Sequence, residues 1–238
     1  MDHESFWAEY YEGVAQKGEP WLDYSNERVQ AQTFGLVLEA LGPLSARACL
    51  DVGCGVGQMA RTYAAMGAST LVGIDLSEEL ISKLRASHPG LDFRRGSLMD
   101  ATLRGELGSF DRVTLIEVLQ YMPLDAALEA AWALLNPGGR LVVVVPNRAC
   151  PIVERAIARF EGHYMPPSAE ELRRSASELS SNCEWLLQGL WFAENQSLFP
   201  YVRASGPPRM APLGAKGEGT EVQPNRFLMT IQKPLESC

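Results

Sequence analysis

The chain has 238 residues, 46% hydrophobic and 21% charged, which suits one globular domain with a substantial core. A net charge of −8 argues against broad nucleic-acid binding, and the pairs Arg94-Arg95 and Arg173-Arg174 are too small for a phosphate track. No apolar run approaches a membrane span, the five cysteines include no C-x-x-C pair, and the three histidines form no zinc spacing; a reduced, cytoplasmic protein without membrane, nucleic acid or metal is expected.

Residues 1–45 precede any alternating strand–helix pattern. Phe6, Trp7, Tyr10 and Tyr11 recur at helical spacing, and Trp21 and Tyr24 follow a Gly-Glu-Pro turn. Residues 1–30 carry seven acids against Lys17 and Arg28, a net of −5. One reading makes the aromatics a packing stripe and the acids a solvated face. The other folds the segment over a ligand, with at least one aromatic in the pocket.

The segment Cys49 to Gly57 is an apolar run that ends in Asp51 and then in glycines at alternate positions, Gly53, Gly55 and Gly57. Such spacing lets the backbone turn with positive φ and leaves no side chain between it and a ligand. The helix predicted from Gln58 to Met66 points its free N–H groups into the same space. A dinucleotide fingerprint needs glycine at 58, where Gln58 stands, and a P-loop needs a lysine that residues 49–60 lack.

Thr70 to Ile74 reads as a second strand ending at Asp75, 18 residues past Gly57. An acid there can accept hydrogen bonds from both hydroxyls of a ribose. Ser77 caps the next helix, whose apolar side is Leu80, Ile81 and Leu84, and Pro89-Gly90 ends it. Leu91 to Arg95 is the third strand, followed by the loop Gly96 to Asp100. Phe110 to Ile116 is the fourth strand, running into Glu117 to Met122. Pro123 opens a helix with Leu128, Ala131, Trp132 and Leu135 buried, and Asn136-Pro-Gly-Gly139 turns into the apolar fifth strand Leu141 to Val145. This alternation implies right-handed crossovers and a doubly wound α/β sheet with ligands at the strands' carboxyl ends.

After Pro146-Asn147 the spacing predicts an amphipathic helix over Pro151 to Phe160, then a capping box of Ser168 and Glu171 opening a helix to about Ser181. Residues 148–167 are thus an insertion over the carboxyl edge of the sheet, a common place for a substrate lid. Glu184 to Glu194 and Asn225 to Lys233 read as the last two strands. Residues 204–224, with four glycines and four prolines, read as a long loop, and Phe199 and Tyr201 before it are candidates for the pocket wall.

From Ala48 to Asn147 the chain resembles the class I S-adenosylmethionine-dependent methyltransferases, whose first motif is hydrophobic-Asp-x-Gly-x-Gly-x-Gly and whose fifth strand follows Pro-Gly-Gly. The resemblance implies a seven-stranded, mostly parallel, Rossmann-like sheet in a single domain. Its parts are an N-terminal lid (1–45), a cofactor core (46–147), a lid insertion (148–167), and a C-terminal helix with the last strands (168–238). It implies S-adenosyl-L-methionine held by Asp51, Gly53, Gly55, Gly57, Asp75, Leu76 and Glu117. The loop after strand three holds the adenine in that family, with the Leu98 N–H as a donor and Ser97 or Asp100 as partner of the exocyclic amine. From the N-terminal lid, Tyr11 can touch the methionine carboxylate and Arg28 can pair with it.

Methyl transfer is an in-line displacement that chiefly needs alignment, worth roughly 7–11 kcal/mol at best. A base is needed only when the nucleophile arrives protonated. Many relatives carry a histidine after the fourth strand, where this chain has Gln120-Tyr121. The candidates are therefore His163 as base, Tyr164 and Tyr121 as hydrogen-bonding or sulfonium-facing groups, and Asn147 to orient an amine or carboxylate. Cys54 is a residue the family often has, and no nucleophilic role is assigned to it. The leading expectation is a methyltransferase acting on a small metabolite. An alternative is an azetidine-carboxylate synthase-like cyclase that releases methylthioadenosine from the cofactor itself, and a third is a non-catalytic cofactor-binding protein.

Overall fold

A computed structural model describes residues 3–17, 27–191, 209–212 and 224–235. In chain order they form α1 (His3–Lys17), α2 (Glu27–Leu41), β1 (Ala48–Val52), α3 (Gln58–Ala65), β2 (Thr70–Asp75), α4 (Glu78–Ser87), β3 (Asp92–Arg95) and α5 (Ala101–Leu107). There follow β4 (Phe110–Ile116), a 3₁₀ turn (Leu119–Tyr121), α6 (Leu124–Ala133), β5 (Leu135–Pro146), α7 (Pro151–Arg159), α8 (Ala169–Leu179), β6 (Glu184–Trp191), β7 (Arg209–Pro212) and β8 (Arg226–Gln232).

The strands lie in one sheet in the order β3-β2-β1-β4-β5-β8-β6-β7. The first five are parallel, and β8 runs antiparallel to both β5 and β6. The seven expected strands are all present. The loop expected over 204–224 also holds a strand: Arg209–Pro212 pairs antiparallel with Gln188 to Trp191 on the edge. A proline-bounded stretch this short carries no alternation long enough to register as a strand.

Alternation along each strand divides the core into two layers. On β5, Leu141, Val143 and Val145 pack with α6 and α8, alongside Leu50 and Val52 of β1. Val142 and Val144 face the other way, with Cys49, Tyr63 of α3, Ile81 of α4, and Val37 and Leu41 of α2. Burial on both faces is what a central parallel strand requires. Helix α2 is therefore part of the scaffold, lying against β5 and β8. Its last carbonyls, which have no partner within the helix, are taken by arginines of the sheet: Arg112 Nε donates to Leu41 O (2.9 Å) and Arg140 Nη1 to Ala40 O (2.7 Å).

Local capping chemistry sets the helix starts around the sheet's carboxyl edge. Ser77 Oγ accepts from Leu80 N (3.3 Å), and the Ser168–Glu171 capping box is formed in both directions. Helix α5 has no counterpart among the expected elements, because Gly105 interrupts a short segment. Its signal is Asp100 followed by Leu103 and Leu107, and Asp100 indeed caps it, accepting from Thr102 N (2.8 Å) and Leu103 N (3.3 Å).

Candidate active site

Strand order reverses between β1 and β4, and the cavity lies where their carboxyl ends part. It measures about 420 Å³ and is walled by the glycine turn, the ends of β2 and β3, the turn after β4, α2 and α1. Gly53, Gly55 and Gly57 all have positive φ (67°, 53° and 71°). A Cβ on Gly53 would lie 2.1 Å from Val118 Cγ1, so the turn after β4 closes directly on this glycine. A Cβ on Gly55 meets nothing within 4 Å and would project into open space, which leaves the backbone bare for a ligand.

Two buried acids flank this turn. Asp75 accepts from Gly55 N (2.9 Å) through Oδ2 and from Ser77 N (3.0 Å) through Oδ1. A carboxylate has about four acceptor sites, so acceptor capacity is left for a ribose hydroxyl. Burial raises the Asp75 pKa, against the pull of the Ser77, Gly55 and Leu76 amides. Asp51 accepts from Thr114 Oγ1 (2.9 Å), which in turn accepts from Tyr63 Oη (3.0 Å). Burial pushes Asp51 up to about 7; the Thr114 hydroxyl and the Ala60 amide at the start of α3 resist, and the charge of Asp75 adds to the push. Desolvation also drives the Cys54 thiol far up, which disfavours its nucleophilic thiolate.

Glu117 has a left-handed backbone (φ 57°), an unusual conformation for a side chain of this kind, directly after β4. It is ion-paired with the buried Arg226 at the start of β8. Arg226 has no sequence signal, because the contact exists only once β8 inserts antiparallel beside β5. Glu4, Asp51, Asp75 and Glu117 are the carboxyl groups of the wall, Glu117 being balanced by Arg226 behind it, and no lysine or arginine lies in the wall among the described residues. Such a wall suits a ligand of net positive charge.

The remaining wall is aromatic. His3, Glu4, Trp7 and Tyr11 of α1 face the cavity, opposite Tyr121 and Met122. Tyr11 Oη lies 2.6 Å from Tyr121 Oη, His3 Nε2 is 2.8 Å from Tyr121 O, and Trp7 Nε1 donates to His163 O (2.8 Å). Trp7 is buried, its ring 4.4 Å from that of Tyr121. The aromatic run of α1 thus serves both expected roles, packing with Phe6 and Tyr10 and lining the pocket with Trp7 and Tyr11.

Of the sequence candidates, Asp51, Gly53, Gly55, Asp75, Leu76, Ser97, Leu98, Glu117, Tyr11 and Tyr121 meet in this wall, with Gly57 capping α3 beside it. Four others do not. Asp100 is exposed and capping α5, which leaves Ser97 as the polar side chain of that loop in the wall, beside Leu98 and Met99. Asn147 is buried and spent on structure, donating to Pro224 O (2.8 Å) and accepting from Ala149 N (3.0 Å). His163 sits behind the wall because Phe6 stacks on its ring at 4.0 Å, and Tyr164 packs beside it, 5.7 Å from Tyr121. The histidine in the wall is instead His3, which local sequence leaves in a terminus with nothing to hold it. The side chain of Arg28, and Trp21, Tyr24, Phe199 and Tyr201, lie outside the described residues. Among the described residues no cluster of His, Cys, Asp or Glu could hold a metal ion, and no helix is long and apolar enough to cross a membrane.

Sheet order, glycine turn and the acid that ends β2 together define a Rossmann-like protein with a cavity at its strand switch point, where folds of this kind take nucleoside cofactors. Residues 50–143 match the family described as Methyltransferase domain. The chain is 33% identical over 177 residues to a ubiquinone biosynthesis O-methyltransferase of Albidiferax ferrireducens, covering 68% of this chain and 69% of that protein. It is 33% identical over 156 residues to the enzyme of that name from Paracidovorax citrulli, where it spans 65% of the relative and 61% of itself. Magnesium protoporphyrin IX methyltransferase from Synechocystis PCC 6803, solved with bound S-adenosylmethionine, shares the fold at TM-score 0.63, 15% identity and 98% coverage of both chains. The chain belongs to the class I S-adenosylmethionine-dependent methyltransferases, and its cofactor is S-adenosyl-L-methionine.

Proposed function

We propose that this chain transfers a methyl group from S-adenosylmethionine to a small-molecule acceptor bound under α1. The observation that carries this reading is one cavity wall. It joins Asp75 and the glycine turn to the aromatic face of α1 and the turn after β4. The residues fit the cofactor: Asp75 keeps acceptor capacity for ribose, the bare backbone at Gly55 admits close approach, and Leu98 offers its backbone N–H beside Ser97. The acidic wall matches the net charge of the sulfonium form. Bound there, the cofactor supplies an electrophilic methyl group.

The protein's share is placement. Trp7 and Tyr11 keep water out, and the Tyr11–Tyr121 hydroxyl pair orients the acceptor. Both relatives named above are O-methyltransferases, which favours a hydroxyl acceptor, and a hydroxyl must shed its proton. His3 is the wall's group for that task. Its Nε2–H is committed to the Tyr121 carbonyl, so Nδ1 carries the lone pair. His163 then acts at one remove, seating Trp7 through its carbonyl. None of the relatives named above is a cyclase.

The test is incubation with S-adenosylmethionine and a panel of phenols, catechols and amines, with the nucleoside product identified by mass. S-adenosylhomocysteine formed only with an acceptor supports the proposal. Cofactor bound tightly but unconsumed across the panel would favour a non-catalytic protein.

A further inference from the structure

Helix α1 has three faces with three different partners. His3, Glu4, Trp7 and Tyr11 line the cavity, while Phe6 and Tyr10 meet Phe160 of the insertion at 6.5 and 5.3 Å. The third face carries Glu12, one of the seven acids that the sequence offers as a solvated surface. In the folded protein it is half-buried against α4. Its Oε2 accepts from Ser77 Oγ (2.7 Å) and from Glu79 N (3.3 Å).

Helix α4 already has Glu78 and Glu79 in its first turn, where free backbone N–H groups favour negative charge. A third acid arriving there is held by directed hydrogen bonds. Desolvation pushes the Glu12 carboxyl up, but the Ser77 hydroxyl, the Glu79 amide, the Gln16 side chain and Arg95 bring it below its ordinary value. The carboxylate is therefore the form that makes the contact. Ser77 is the joint of the arrangement. Its hydroxyl donates to Glu12 while accepting from Leu80 N, and its own N–H donates to Asp75 Oδ1 (3.0 Å). One residue thus links the lid helix to the ribose-facing acid.

We propose that Glu12 is a positioning residue that latches α1 over the cofactor by gripping the Ser77 turn that presents Asp75. This rests on the assignment of S-adenosylmethionine to the cavity. Closure and cofactor retention are then coupled: the same hydrogen bonds that hold Tyr11 and Trp7 over the pocket hold the turn under the ribose.

The test uses the full chain with S-adenosylmethionine itself, in wild type, Glu12→Gln, Ser77→Ala and the double variant. Glu12→Gln removes one charged acceptor and releases the cofactor about 10-fold faster, the scale of one or two charge-assisted bonds at a half-exposed site. KM for the cofactor rises by a similar factor, kcat stays within about 2-fold, and the melting temperature without cofactor is unchanged. Cofactor-induced protection of α1 amides from hydrogen exchange is lost, and the double variant releases cofactor no faster than the worse single variant. A wild-type release rate and wild-type protection in Glu12→Gln overturn the latch alone. A drop in cofactor-free melting with equal loss of kcat also overturns it, by showing a purely structural role. Failure of the wild type to bind S-adenosylmethionine overturns the latch together with the cavity assignment.

Discussion

Gly53→Ala tests the closest approach in the site. At φ 67° any side chain sits in the left-handed region, at a cost of roughly 1–2 kcal/mol. The new methyl would also lie 2.1 Å from Val118 Cγ1 and 3.1 Å from Val118 Cβ. Valine is β-branched and stiff, so it cannot rotate clear, and overpacking of this kind adds about 1–3 kcal/mol. The expected loss of stability is therefore about 2–5 kcal/mol, read from urea unfolding with linear extrapolation. The two contributions are separable with Val118→Ala, which removes the colliding methyls but leaves the backbone strain. A double-mutant cycle should recover about 1–3 kcal/mol of coupling, with the remainder persisting as the backbone cost. Because Val118 lies between Glu117 and Tyr121, the single variant should also lose cofactor affinity. A loss below about 1 kcal/mol, or an identical effect of Val118→Ala in both backgrounds, would refute the steric argument.

Asp75→Ala should weaken S-adenosylmethionine binding by about 1–3 kcal/mol in calorimetry, and unchanged affinity would remove Asp75 from the ribose site. The upward displacement of the Asp51 pKa to about 7 has a definite sign. A folded-state pKa above the unfolded one stabilises most below pH ~4 and loses that contribution as pH rises through about 7, so Asp51→Asn should gain on the wild type between pH ~4 and ~7 and level off above. The rise from an ordinary carboxylate value to about 7 sets a ceiling of about 4 kcal/mol, and a stability difference flat with pH contradicts the assignment. His3→Gln should lower kcat by about 10²–10⁴-fold for a hydroxyl acceptor, whereas His163→Asn should lower it far less. Equal effects of the two substitutions would remove His3 as base.

The cofactor half of the site is legible in the sequence because it is written in short, local stretches of backbone chemistry. Glycines at 53, 55 and 57, an acid ending β2 and a capping serine at 77 each act within a few residues of their own position. The acceptor half is not legible in the same way. Whether His3 or His163 reaches the cavity depends on how α1 packs on the insertion, and Phe6 stacking on His163 decides it. Arg226 meets Glu117 across 109 positions of chain, through a strand that the sequence does show but whose antiparallel insertion beside β5 no local pattern announces. Asp100 shows the converse: an acid in the right loop resembles an adenine partner, yet its nearer task is to cap α5, whose short, glycine-containing sequence hides the helix.

The most direct measurement follows the methyl group itself. With S-adenosylmethionine carrying a trideuterated methyl, all three deuterons are expected to appear in a small acceptor while the nucleoside leaves as unlabelled S-adenosylhomocysteine. Labelled methylthioadenosine formed without any acceptor would contradict methyl transfer, because the bond broken would then lie on the other side of the sulfur.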